Sequence, residues 1–378
     1  MVAGAAAPPG GPFPDKRENS EHPTNPRNGT KTVTDPRTLI LVLGVLVVLG
    51  IATAVAHLLR RRPETGLNPA LLETFWLRIR AWWLLLSIVA ATFLIHRVVT
   101  IAVFGLISFW ALREFITLTP TRPGDHRALF WVFFVATPVQ FVLVGLGFDW
   151  FTKLATLIWF VTFIPVYAFL LIPVRIALAD DPKRFLERTA KIQAGLLICV
   201  YCFSYAPALL NLPVEKVSAG AASARERLLF FFVLMVQLSD VLQYAWAQLP
   251  WKHVLAPTIS PTRTLEGLVG GVLSTSLVGA SLCWATPFPF WMAGLMSGVV
   301  ALMSFAGGIT MSAVKRDRGV KDYGTLVEGH GGVLDRIDSL CFAAPVFFHL
   351  SYAWLASRPE FQVQISKGFS WLPPYWGM

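Results

Sequence analysis

Between Ser312 and Asp338 the chain places five basic residues (Lys315, Arg316, Arg318, Lys321, Arg336) and five acidic ones (Asp317, Asp322, Glu328, Asp335, Asp338), with long apolar runs on either side. In a chain with only 14% charged residues, that density calls for a chemical reason. Carboxylates take hard divalent cations such as magnesium, which bridge phosphate oxygens, and Lys and Arg neutralise the remaining phosphate charge. The chemistry such a set suits is phosphoryl transfer from a nucleotide.

The spacing agrees. If the preceding helix continues through Arg316, then Ser312, Lys315 and Arg316 fall at i, i+3 and i+4 and share a face. Asp335 and Asp338, at i and i+3, share a face on the first turn of the next helix, where the dipole favours anionic groups. Between them lies Gly331-Gly332 after His330, where backbone can turn sharply or approach a ligand.

This stretch resembles the signature of the phosphatidate cytidylyltransferase (CDP-diacylglycerol synthase) family, S-x2-K-R-x4-K-D-x-small-x5-H-G-G-x2-D-R-x-D. Ser312, Lys315-Arg316, Lys321-Asp322, Gly324, His330-Gly331-Gly332, Asp335-Arg336 and Asp338 match in register. Val327 stands where Leu, Ile or Phe is usual, and Glu328 where a small residue or Pro is usual; Glu328 adds negative charge beside the expected phosphate site.

The elements that must hold these residues are membrane helices. Over 378 residues the composition is 55% hydrophobic and the mean hydropathy +0.58, with repeated apolar runs near the length that crosses a bilayer. The fold class is therefore all-α: a polytopic helical membrane protein of about ten spans, with no soluble domain of useful size. The expected spans are Thr38–Leu59, Ala81–Ile95, Val98–Leu118, Leu129–Leu146, Lys153–Ile172, Ile192–Leu212, Leu228–Leu249, Leu265–Trp284, Pro289–Met311 and Ser339–Leu355. Residues 1–37, rich in Pro, Gly, Asn and mixed charges, read as a disordered tail. Residues 38–227 then form an N-terminal membrane region and 228–378 the catalytic one. The first span is too long and too far from the N-terminus for a cleaved signal peptide.

The net charge of +10 follows membrane topology and anionic lipid rather than nucleic acid, because Lys and Arg concentrate in short loops. The Arg60–Arg80 segment, the loop with Arg113, Arg122 and Arg127, and Arg175–Lys191 all fall on one side. Residues 250–264 and 312–338 fall there too, and that side is expected to be cytoplasmic. Arg113-Glu114 reads as an interfacial ion pair.

A second polar cluster begins within the apolar run from Leu228. Asp240 lies deep in it, and an ionisable group there is costly unless it lines a cavity or meets a cation. Gln237, Gln243 and Tyr244 share its face; an interhelical hydrogen-bond network is the structural alternative. The loop that follows, Ala256 to Gly271, resembles a second family motif, A-P-x2-S-P-x-K-T-x-E-G-x2-G-G. Ser260, Thr264, Glu266 and Gly267 match, and Arg263 replaces the usual Lys, offering a planar fork rather than a point charge. Thr264 is placed to open a helix at Leu265 with Glu266 in its first turn. Asp240 and Tyr244 align with the family, but the glycines that usually follow are absent.

Other groups attract simpler readings. Cys199 and Cys202 lie inside an apolar span and read as small buried hydrophobes. Gly294 and Gly298 read as a packing face, and the scattered histidines as no metal site.

The resemblance implies that CTP and phosphatidate react to give CDP-diacylglycerol and pyrophosphate, with magnesium alone or beside a second cation. It assigns metal binding to Asp322, Asp335 and Asp338, with Asp240 as a further ligand. It assigns the catalytic phosphate contacts to Lys315, Arg316, Lys321 and Arg336, with Ser312 on a phosphate or the metal. Asp240, Tyr244, Ser260, Arg263, Thr264, Glu266, His330, Gly331 and Gly332 are the substrate-binding set. It further implies a homodimer in a bacterial cell membrane with its active-site loops in the cytoplasm. Two rivals stay open from the residues alone: a CTP-dependent kinase of polyprenol or phytol type, and a catalytically silent membrane scaffold.

Overall fold

A computed structural model describes residues 36–61, 83, 97–118, 121–147, 153–214, 224–250, 253–324 and 331–358. The expected N-terminal tail and, Trp83 aside, the expected span Ala81–Ile95 lie outside the described residues. Every other expected span coincides with a helix. In chain order these are α1 (Pro36–Arg61), α2 (Arg97–Thr117), α3 (Pro123–Leu146), α4 (Ala155–Ala177), α5 (Phe185–Asn211) and α6 (Ala224–Trp246). After a short hairpin of β1 (Val254–Ala256) and β2 (Ser260–Thr264) come α7 (Leu265–Ser281), α8 (Phe290–Asp317) and α9 (Leu334–Ala356). Among the described residues, seven helices, α2 to α6, α8 and α9, are long and apolar enough to cross a bilayer. α7 has 17 residues, just short of that length.

The protein is thus a polytopic helical membrane protein, and its helices associate as helices must in lipid, through close approach of small residues and internal hydrogen bonds. α6 to α9 form one bundle. Its tightest seam joins α7 to α8, where Gly279 faces Ser297, Gly294 faces Ala280 and Gly298 faces Ser276; Gly294 and Gly298 are the packing face read from the sequence. Against α9 stand α2 and α5, with Tyr205 stacked edge-on to Phe348 at 5.2 Å and to Phe160 at 4.8 Å. Within this half Gln140 donates to Ser204 Oγ (3.1 Å) and to the Phe160 carbonyl (3.2 Å). Cys199 and Cys202 are free thiols within α5, Cys199 fully buried.

Three helices widen locally into π turns, at Val132–Ala136, Phe163–Ala168 and Leu196–Cys202. Pro138 follows the first and Pro165 lies in the second. A proline removes one N–H from the ladder, and local π adjustment re-satisfies the freed groups. At Thr137 the hydroxyl adds a bond to the Val132 carbonyl at 2.9 Å.

Of the loops expected on one membrane face, the Arg60–Arg80 segment lies beyond Arg61 outside the described residues, and the others meet. Asp181, after α4, accepts from Arg122 (3.0 Å) and Arg188 (2.7 Å), and Arg188 also approaches Asp125 at 3.3 Å. This joins the α2–α3 loop, the α4–α5 loop and the start of α5. Arg318 at the end of α8 lies 3.8 Å from Glu187 of α5, and Arg316 donates to the Ile259 carbonyl of the hairpin at 3.3 Å. The α8–α9 segment and the hairpin therefore share that face.

Candidate active site

The end of α8 is set by its backbone. Gly319 takes φ +66, a conformation glycine adopts without strain. The Gly319 N–H bonds the Arg316 carbonyl and the Val320 N–H the Lys315 carbonyl, both at 3.0 Å. That pair of bonds closes the helix and leaves the Ser312 and Lys315 side chains on one cavity. Arg316, the third member of the expected face, turns instead to the hairpin.

The start of α9 carries no Ser, Thr, Asp or Asn at its N-cap, which is Val333. Its exposed donors are satisfied from elsewhere. Glu114 of α2, only 5% exposed, accepts from Val333 N (3.0 Å) and Leu334 N (2.8 Å). Asp335 Oδ2 accepts from Gly332 N (2.9 Å) and Tyr323 N (2.8 Å), while Oδ1 accepts from Lys315 Nζ (2.9 Å). The space beside Gly324 and Gly332 is filled by the Glu114 carboxylate, so a side chain at either glycine has no room. Tyr323 is buried, donates to the Met311 carbonyl at 2.8 Å and stacks on Phe115 at 6.3 Å; burial pushes its phenol pKa up. The interfacial Arg113-Glu114 ion pair is thereby corrected: Arg113 lies over the Trp110 ring, and Glu114 caps a helix some 220 residues later. A carboxylate buried beside that helix start and its dipole is strongly favoured over one left in lipid.

From the other side the hairpin closes the cavity. Thr264 caps α7 by accepting from Gly267 N at 3.0 Å, as its place in the sequence predicts. Arg263 donates to Gln243 Oε1 at 2.7 Å, packs over Phe305 at 5.4 Å and approaches Asp240 Oδ1 at 3.9 Å. Gln243 is anchored in turn by donating to the Ala301 carbonyl at 2.9 Å. Ser339 donates to Asp240 Oδ1 at 3.1 Å. Asp338 lies within electrostatic reach of Asp240, Lys315 and Arg263, and accepts from Ser339 N at 2.7 Å.

The result is one cavity of about 250 Å³ lined by α6, the hairpin, α7, α8 and α9. Ten of the expected site residues line it: Asp240, Tyr244, Ser260, Arg263, Thr264, Ser312, Lys315, Asp335, Arg336 and Asp338. Two clusters far apart in sequence thus form a single polar chamber with cations and carboxylates on facing walls.

Several expected residues sit elsewhere. Glu266 does not line the cavity; it accepts from His253 N (3.1 Å) and contacts His253 Nδ1 at 2.5 Å, tying the hairpin's base to α7. Lys321 and Asp322 are exposed beside the loop and not on the cavity wall. Gly331, at φ +79, and Gly332 shape the backbone around Asp335 and Glu114. His330 and Glu328 lie outside the described residues. The four-carboxylate metal set is not gathered in one place. Asp335 is held by Lys315 and two backbone N–H groups, and among the described residues no three His, Cys, Asp or Glu side chains come together as a cation cage. Asp240 and Asp338 remain as the carboxylate pair on the cavity. Sequence reasoning missed Glu114, Tyr323 and Ser339; for Glu114 the available signal was a carboxylate at the end of an apolar span.

A polytopic membrane enzyme with cations and carboxylates converging on a cavity at one membrane face has the makings of a nucleotidyltransferase. The chain belongs to the cytidylyltransferase family, whose pattern matches residues 76–354. It is 37% identical over 277 residues to the uncharacterized protein YnbB of Escherichia coli (strain K12), covering 72% of this chain and 86% of that protein. It is also 37% identical over 176 residues to the phosphatidate cytidylyltransferase of Mycobacterium leprae, and 45% identical over 96 residues to that of Synechocystis sp.. Those matches cover 46% and 24% of this chain, and 53% and 32% of the two enzymes.

Proposed function

We propose that the protein transfers the cytidylyl group of CTP to phosphatidate, giving CDP-diacylglycerol and pyrophosphate, with its catalytic face toward the cytosol of a bacterial cell. The observation that carries this reading is the meeting of both motif clusters on one cavity, together with relatives named for that activity.

A phosphate oxygen of the lipid attacks the α-phosphorus of CTP in line, forming the new P–O–P link. The bond between the α- and β-phosphates breaks, and its electron pair leaves on pyrophosphate. No protein nucleophile is needed, so the chain's contribution is positioning and charge neutralisation. Lys315, Arg263 and Arg336 face the cavity from separate elements and supply positive charge to the triphosphate and the lipid phosphate. Lys315 is held by Asp335, which keeps its ammonium aimed into the site. Asp240 and Asp338 bring two like charges together, an arrangement that a magnesium ion shared with substrate phosphates suits, since Mg²⁺ is commonly held by one or two carboxylates plus phosphate oxygens. When bound there, magnesium would neutralise charge on the phosphates and hold them in line. The lipid phosphate reaches the cavity at the membrane surface while its acyl chains stay among the helices.

The test is product analysis with CTP labelled at either the α- or the γ-phosphate. The α-label is expected in the lipid and the γ-label in pyrophosphate. γ-Label in the lipid, with CDP released, would mean a lipid kinase instead; no label in lipid from a folded preparation would leave a non-catalytic role.

A further inference from the structure

Away from the catalytic cavity, α3 and α4 part to leave a second one of about 420 Å³. It lies where both helices widen into their π turns, Val132–Ala136 and Phe163–Ala168. Its described lining is apolar, including Trp131, Val135, Tyr167, Ala168 and Leu171, with one charged member, Arg175. Trp131, Tyr167 and Leu171 are 55%, 45% and 65% exposed, so the cavity opens onto the lipid-facing perimeter.

Its depth matches one leaflet. The lining runs from Ala128 to Ala136 on α3 and, on the side of Arg175 away from the catalytic face, from Phe163 to Val174 on α4, about 12 Å and about 16 Å at 1.5 Å per residue. One leaflet's hydrocarbon is about 15 Å thick. Arg175 sits in the last turn of α4, at the end where Asp181 gathers Arg122 and Arg188 and where Glu187 meets Arg318. That is the membrane face carrying the catalytic loops. Asp181 is already held by those two arginines, and no described carboxylate is paired with Arg175. A guanidinium at the headgroup level above an apolar slot matches a phosphate above an acyl chain.

We infer that the α3–α4 slot is a binding site for an anionic phospholipid of the leaflet on the catalytic side, with one acyl chain between the π turns and the headgroup phosphate on Arg175. The inference rests on the membrane setting and not on the proposed reaction. The site is separate from the catalytic cavity, which is lined by α6 to α9 and the hairpin.

The test uses the full chain in nanodiscs of phosphatidylcholine, doped with a photoactivatable phospholipid carrying a diazirine in one acyl chain and either a phosphatidylglycerol or a phosphatidylcholine headgroup. Peptide mapping reads crosslinks on residues 128–136 and 163–178. The expected result is about fivefold more labelling there by the anionic probe, the factor one basic group contributes at an anionic lipid. Arg175→Gln should bring the two probes level, Arg175→Lys should keep most of the preference, and Ala168→Phe should lower labelling by both. Equal labelling of the wild type by the two probes, or a preference unchanged in Arg175→Gln, would mean ordinary boundary lipid and overturn the site. If Arg175→Gln does not fold, the wild-type headgroup ratio and the fall in labelling by both probes in Ala168→Phe decide the question.

Discussion

Glu114 is not among the residues that line the cavity, yet it holds the start of α9 that carries Asp335, Arg336 and Asp338. Replacing it with Ala removes two hydrogen bonds to a carboxylate, from Val333 N and Leu334 N, and leaves one part-buried and one buried donor without it. Each such bond is worth about 1.5–3 kcal/mol, so about 3 kcal/mol is a conservative loss for the pair. At 1.4 kcal/mol per factor of ten, that shifts the ratio of ordered to disordered loop by about 100-fold or a little more. If substrate binding re-orders the loop, the penalty falls on apparent affinity rather than on the saturated rate, because only the ordered fraction binds. The assay is steady-state turnover of CTP at saturating lipid, with thermal unfolding as a control for the fold. Glu114→Ala should lower kcat/KM by about 10- to 100-fold, mainly through KM for CTP, and Glu114→Gln, which keeps one acceptor, should lie between. A Glu114→Ala protein that folds and keeps kcat/KM within about twofold of wild type would refute the reasoning, as would Gln and Ala variants that behave alike.

Three further outcomes follow from the same geometry. Gly332→Ala puts a methyl group into the Glu114 carboxylate and should impair activity much as Glu114→Ala does, while the two changes together should cost less than their sum. Gly279→Val drives a side chain into Ser297 on the α7–α8 seam; overpacking of this kind costs about 1–3 kcal/mol, read as a lowered unfolding midpoint in detergent. Hydrogen bonding from Arg122, against the opposing effect of burial and helped by Arg188, holds the Asp181 carboxyl below its ordinary 3.8 at about 2. A depressed carboxylate stabilises the fold above its unfolded value, and the contribution fades as pH falls through the folded one. Wild-type stability should therefore decline between about pH 4 and pH 2, and Asp181→Asn should show a shallower acid limb in equilibrium unfolding.

What the sequence displayed and what it concealed divide along physical lines. The apolar runs declared the helices, because a span needs length and hydropathy and nothing else. Lys315, Asp335, Arg336 and Asp338 were visible because charge is rare in such a chain, Ser312 because it stands one helical turn before Lys315, and their helical spacing survives in α8 and α9. Thr264 as a cap was legible because capping is local. Glu114 was not, because its partners lie some 220 residues away and its type is equally suited to an interfacial ion pair. Glu266 misled for the opposite reason: it has the right type and place in a motif, but the hairpin turns it to His253. Asp322 matches its motif position too, yet the Schellman turn at Gly319 and the bond from Tyr323 N to Asp335 carry its backbone past the cavity. The α3–α4 slot could not be read at all, since it depends on where two helices widen rather than on residue type.

In the proposed reaction, joining a cytidylyl group to a lipid phosphate in this cavity requires the Asp240–Asp338 pair. The most direct measurement is transfer of α-labelled CTP into phosphatidate by the purified protein with magnesium, comparing wild type with Asp338→Asn at matched folding. Labelled lipid with pyrophosphate released is expected from wild type, and a loss of at least about 100-fold in the variant, the scale of removing one electrostatic contribution at a reacting phosphate, here through the cation the pair would hold. Labelled lipid formed equally well by Asp338→Asn would contradict the assigned site, and a folded wild type that forms none would contradict the proposed reaction.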